Sequence, residues 1–222
     1  MACEVIKQGV EDLGKWRDLL YEEFSMIGDP SDLHKAIVGL NQRVIITTNF
    51  DKLIENTWPL VNGSAHHYPV VASEVRPELF RLFRDDKSYV VKLHGSIDNP
   101  DNIIFARTDY SKLAFSNWIY GEFINTILMS YTVMFVGFSM SDPAISQLIE
   151  VYAQKFPSLR PHYIVQPSGS GMTEISKTLR KLYVLEYDNP KDDHAELPHL
   201  LNSLAKEGAA KRKANAALAS VA

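Results

Sequence analysis

Three short apolar runs set the terms for this chain: Val44-Ile45-Ile46-Thr47-Thr48, Tyr89-Val90-Val91-Lys92-Leu93 and residues 132–138. Each is too short for a helix. Each is apolar on successive residues rather than alternate ones, the pattern of a strand covered on both faces. The stretches between them have helical spacing. Val10, Leu13, Trp16, Leu19, Leu20 and Phe24 predict a helix over residues 10–25. Gly28, Asp29 and Pro30 end it, and Ser31 can cap a second helix starting at Asp32. Helical character returns over residues 51–58, 75–83, 110–115, 119–129, from Pro143 onward, and over 173–182. Shorter strands are expected at 68–72, 103–105, 163–165 and 184–187. Strands alternating with helices imply an α/β layered fold with a largely parallel sheet.

Composition bounds the rest. A chain of 222 residues with 45% hydrophobic content suits one domain with one core. We expect that domain over residues 1–204, followed by a basic, alanine-rich tail over 205–222 that contains Lys211, Arg212 and Lys213. The net charge of −4 gives no overall field for nucleic acid. The one cysteine, Cys3, excludes an internal disulfide framework and a four-cysteine zinc ribbon. No run approaches the roughly 20 apolar residues of a membrane span. Glu4 and Lys7 interrupt any signal-like start, so the chain reads as cytoplasmic.

Ligands of parallel sheets bind beyond the carboxyl ends of the strands. Three strand ends here carry suitable residues: Thr47-Thr48-Asn49-Phe50-Asp51, His94-Gly95-Ser96, and the run from Gly137 through Ser139 to Asp142 and Pro143. Taken singly, each has a plain structural explanation. Asn49 and Asp51 can cap a helix, His94 can be a buried core histidine, and Gly137 can permit close packing. Three on one edge point to a site.

These same residues resemble a family. Thr47-Thr48-Asn49-Phe50-Asp51-Lys52-Leu53-Ile54-Glu55 is similar to the Thr-Thr-Asn-Tyr-Asp-x-Leu-Ile-Glu signature of sirtuin-like NAD-hydrolysing domains. Lys92-Leu93-His94-Gly95-Ser96, Thr108-Asp109-Tyr110 and Gly137-Phe138-Ser139-Met140-Ser141-Asp142-Pro143 match further elements in the family's order. The resemblance implies a Rossmann-like three-layer fold with NAD as substrate. It also implies hydrolysis to ADP-ribose and nicotinamide, often in bacterial antiphage defence. Carried over by position, Asn49 would contact the nicotinamide ribose and orient the attacking water, and His94 would act as base. Asp51 would lie near the carboxamide, with Gly137 and Ser139 toward the adenosine. Thr47, Thr48, Gly95, Ser96 and Asp142 would complete the cofactor site. The family's deacylases carry a four-cysteine zinc module, so the lone Cys3 favours the hydrolase branch, with no zinc.

The resemblance also implies a first, central strand followed by a Gly-Ala-Gly-x-Ser loop that cradles the pyrophosphate. Before Val44 only the isolated Gly9, Gly14, Gly28 and Gly39 occur. We therefore expect a sheet missing that strand and weak or absent hydrolysis by this chain. The alternative is a non-catalytic interaction module, with a homo-oligomer or a defence-system protein as partner. Two lesser readings complete the set. Ser139 could be a nucleophile in an elbow-like turn with Asp188 or Asp192 and His194 or His199, although Ser141 replaces the elbow's final glycine. His66-His67 and the pair His194 and His199 have poor spacing for a metal, and no metal is expected.

Overall fold

The computed structural model describes residues 2–10, 12–25, 28–63, 68–115, 117–140, 142–171 and 173–219. His66, His67 and Ser141 lie outside them. Six strands pair in two parallel groups of three. β1 (Val44–Thr47), β2 (Val70–Ala72) and β3 (Tyr89–Lys92) are ordered β1-β3-β2. β4 (Met134–Phe135), β5 (Tyr163–Pro167) and β6 (Tyr183–Tyr187) are ordered β4-β5-β6.

Side-chain alternation shows that both groups lie in one layer. Val44, Ile46, Tyr89 and Val91 from the first group share a core with Phe135, Ile164 and Val184 from the second. That core is filled by α6 (Trp118–Ser130) and α7 (Pro143–Lys155), through Phe123, Ile127, Ile145 and Ile149. Residues one step out of phase face the other way, as the two-residue strand period requires. There, Ile45 and Val90 meet Ile54 and Trp58 of α4 (Leu53–Asn62). Met134, Val136 and Val165 meet Leu197 and Leu201 of α9 (Glu196–Ala219). α3 (Asp32–Gly39) contributes Ile37 to both of these clusters and so bridges the two groups. The result is an α/β three-layer, Rossmann-like arrangement, as expected.

β1 and β4 have no neighbour on their outer sides: among the described residues neither a ladder pair nor a backbone hydrogen bond joins them. Burial follows directly. Every residue of β3, paired on both sides, is buried, whereas every residue of β1 and β4 is only half-buried. Residues 132–138 differ from the sequence reading, which made the whole run a strand covered on both faces. In the structure only Met134 and Phe135 pair, with Tyr163 and Ile164 of β5.

Other differences are local. Residues 103–105 are extended but unpaired; they supply Ile103 and Phe105 to a small cluster with Trp16, Leu20 and Phe50. Pro77–Phe83 is a 3-10 helix. The helix expected over 10–25 is α2 (Leu13–Ser25), and a separate helix not expected from the sequence, α1 (Ala2–Gly9), precedes it. α9 continues to Ala219, its amino-terminal part held by Leu197 and Leu201 and residues 206, 207 and 210–217 exposed. No helix among the described residues is long and apolar enough to cross a membrane.

Candidate functional site

The carboxyl ends of β1, β3 and β4 converge on one edge. β1 delivers a loop whose shape is set from within. Thr47 Oγ1 accepts the Asn49 N–H at 3.1 Å, turning the chain so that Asn49 is exposed. Asp51 Oδ1 accepts the Leu53 N–H at 2.9 Å, which starts α4. This is a turn bond made one residue ahead of the N-cap position, which is held by Lys52, so Asp51 leads into the helix without capping it. Thr48 and Asp51 are half-buried beside Asn49.

A residue outside the expected set holds this loop from below. Lys92 is fully buried; its Nζ lies 3.1 Å from Glu55 Oε1 and donates to the Phe50 carbonyl at 3.1 Å and to the Asp51 carbonyl. Strand alternation puts Lys92 on the same face as Val90, toward α4, where Glu55 sits. The Phe50 carbonyl also accepts the Ile97 N–H at 3.0 Å, tying the β1 loop to the one after β3. The available signal was a lysine inside an otherwise apolar strand, since such a charge is almost never buried unpaired.

The loop after β3 carries His94-Gly95-Ser96, all buried. Gly95 has φ +90°, and a Cβ there would lie 2.7 Å from the Asn102 carbonyl oxygen, so no other residue fits. Ser96 Oγ accepts the Asp98 N–H at 3.4 Å, a role within the turn. His94 Nε2 lies 2.9 Å from Asp142 Oδ2. The Tyr110 hydroxyl donates to that same oxygen at 2.9 Å, and its ring meets the imidazole edge-on at 5.4 Å. Asp142 Oδ1 accepts the Ile145 N–H at 2.9 Å, capping α7 immediately before Pro143. Burial pushes the Asp142 carboxyl up, but the His94 ring, the Ile145 N–H and the Tyr110 hydroxyl together outweigh it and hold the group below its ordinary value.

Asp142 therefore joins the two strand groups across the open gap: His94 follows β3, and Asp142 follows β4. Gly137 and Ser139 lie on the same turn after β4, both exposed. Gly137 has φ +62° and open space where a Cβ would be, so its backbone angle, not close packing, calls for glycine. The elbow-type triad is not supported. His194 Nδ1 contacts the Tyr187 hydroxyl at 2.6 Å and Asn189 Nδ2 at 3.2 Å, which commits it to the corner between β6 and α9.

What the arrangement can do chemically is modest but definite. A histidine whose Nε2 is engaged by a carboxylate has Nδ1 left to accept a proton. On the neighbouring loop after β1, the exposed Asn49 side chain can position a hydroxyl or a water. Neither nucleophilic serine chemistry nor a metal is needed for proton transfer of this kind.

The chain is similar to several characterised proteins. It is 28% identical over 136 residues to the NAD(+) hydrolase ThsA of Bacillus cereus (strain MSX-D12), covering 61% of this chain and 28% of that protein. To the NAD(+) hydrolase ThsA of Enterococcus faecium it is 26% identical over 154 residues, covering 68% of this chain and 31% of the relative. To the defense-associated sirtuin 2 of Bacillus subtilis it is 23% identical over 137 residues, covering 60% of this chain and 13% of the relative. The matched part is thus under a third of each relative's length. The model of the SIR2-like domain matches residues 43–189, well over half of the chain and the span that holds Asn49, His94 and Asp142. With the parallel three-layer fold and the convergence of its strand ends, this match places the chain in the SIR2-like domain family.

Proposed function

We propose that this domain binds NAD along the carboxyl edge of β1, β3 and β4 and cleaves the bond between nicotinamide and ribose. The observation that carries the reading is the contact between His94 and Asp142, which assembles a base beside the Asn49 loop. Two of the relatives are NAD(+) hydrolases, which supports the substrate. In the proposed reaction a water oxygen bonds to the ribose carbon as the carbon–nitrogen bond to nicotinamide breaks. His94 accepts the water's proton, and neutral nicotinamide leaves with the bonding pair. Asn49 orients the water against the ribose, while Gly137 and Ser139 face the adenosine half. Thr47, Thr48, Asp51, Gly95 and Ser96 shape the pocket or hold the catalytic pair in place.

A second reading is favoured by one observation. Among the described residues the facing edges of β1 and β4 are unpaired, and no Gly-Ala-Gly-x-Ser loop occurs in residues 1–222. Without such a cradle the pyrophosphate lacks its backbone donors. We therefore expect this chain alone to hydrolyse NAD weakly or not at all, with a non-catalytic module as the alternative. Nicotinamide release by purified protein, measured beside Asn49→Ala and His94→Ala, tests the assignment. Activity in the wild type that is lost in both variants establishes the site. For an inactive wild type, calorimetric titration decides: NAD binding weakened by Asn49→Ala supports the cofactor edge, and absent binding supports the module.

A further inference from the structure

At the opposite, amino-terminal end of the strands lies a second cavity of about 450 Å3, between the end of α7 and the starts of β5 and β6. Its lining includes four cations, Arg160, Lys177, Arg180 and Lys181, and no carboxylate among the described residues. In a chain whose net charge is −4, this is a local inversion of sign. Glu150 and Glu174 approach Arg180 and Lys177 from outside the lining, at 3.2 Å and 3.9 Å. Arg160 and Lys181 have no ion-pair partner among the described residues.

Two buried nitrogens in the wall, His162 Nε2 and Arg180 Nη1, have no hydrogen-bond partner, and both are donors. His162 is 3% exposed; its Nδ1 accepts the Val133 N–H at 3.1 Å, which puts the ring proton on Nε2, and that buried nitrogen has no hydrogen-bond partner. Arg180 is 8% exposed, and its Nη1 is likewise buried and unpaired. A buried donor without an acceptor is destabilising, so two in one cavity call for an external acceptor. The adjoining surface is aromatic: the Tyr152 ring lies 5.1 Å from that of His162 and 5.4 Å from Phe156, and all three line the cavity.

We propose that this cavity is a binding site for a small organic phosphate bearing a flat ring. The anion takes the donors of His162 and Arg180 and the charge of Arg160, Lys177 and Lys181, while the ring packs on Tyr152 and Phe156. The site lies at the far end of the strands from Asn49 and His94 and does not depend on the reaction proposed there.

Phenyl phosphate and inorganic phosphate are the probes, added separately to the full chain carrying 13C-labelled histidine. Imidazole resonances then identify the site, and calorimetry gives affinity. We expect phenyl phosphate to shift His162 saturably, to leave His94 unmoved, and to bind about fivefold or more tighter than inorganic phosphate. Arg160→Gln and Lys181→Gln alter exposed side chains that the fold does not need, and each is expected to weaken binding about fivefold or more. Arg180→Gln removes a buried donor and is expected to cost more, with folding checked by circular dichroism. No saturable shift of His162 up to about 10 mM probe would overturn the proposal. So would a response at His94 instead, or unchanged affinity in both surface variants.

Discussion

Asp142 is the residue on which the candidate site depends, because it touches groups from three separate segments. Replacing it with asparagine keeps the shape but removes the charge that engages His94. A hydrogen bond to a charged acceptor, such as that from the Tyr110 hydroxyl, contributes about 1.5–3 kcal/mol, and Asp142→Asn is expected to lower stability by roughly that amount at pH 7. The pH dependence has a defined sign. The folded carboxyl sits below its ordinary 3.8, so its stabilisation is complete above that pH and is lost as pH falls through the folded value. Urea midpoints of wild type and Asp142→Asn should therefore converge below pH 3.8. Burial depresses His162 from 6.5, so folding excludes its proton and stability declines as pH drops below that point. His162→Gln should remove that upper limb and leave the lower one. Gly95 is the residue least open to change. Gly95→Ala forces a side chain into positive φ against the Asn102 backbone and is expected to cost about 2–4 kcal/mol by chemical denaturation. His94, Gly95 and Asp142 were legible in the sequence as residue types at strand ends, and their mutual distances were not.

At the scale of elements, β3 and its following loop organise the site, and Lys92 is the means. Its ammonium group replaces lost water with Glu55 and two carbonyls of the β1 loop. Glu55→Gln leaves that ammonium buried without a counter-charge and is expected to cost about 3 kcal/mol or more. Lys92→Met keeps the volume but leaves the Glu55 carboxylate without its counter-charge and two loop carbonyls without their donor, so it should lower stability and loosen residues 49–51. Faster amide exchange at Phe50 and Asp51 in Lys92→Met, with β5 unchanged, would separate this local effect from general destabilisation. The sequence showed β3 as a strand because Tyr89, Val90 and Val91 are apolar. It could not show that the one charge in the run meets Glu55, 37 positions earlier in the chain (92 − 55 = 37), since that contact exists only after α4 has packed on the strand face. Residues 103–105 illustrate the reverse failure. Ile103, Ile104 and Phe105 read as a strand, yet they pack in two clusters without a ladder partner, so hydrophobicity there serves burial alone.

For the whole molecule, the defining feature is a six-strand parallel layer interrupted between β1 and β4. Among the described residues both edges present unpaired backbone groups beside apolar side chains, a surface that natural sheets normally cover. Hydrogen exchange is expected to be slow across β3 and β5, which are paired on both sides, and faster by about tenfold or more at outward amides of β1 and β4. Equal protection of all four strands would contradict this reading of the layer. What the sequence determined by itself was the order of elements, the parallel α/β class and the polar residues at three strand ends. These follow from local spacing: apolar runs of four or five residues make strands, and the polar residues that end them fall at one edge when the strands are parallel. Only the tertiary structure decided that α3 spans both strand groups, that β4 shortens to two residues, and that Asp142 reaches His94. Those outcomes depend on which side chains meet across long separations in the chain. A pairing between residues 48 positions apart (142 − 94 = 48) leaves no trace in the spacing of either segment.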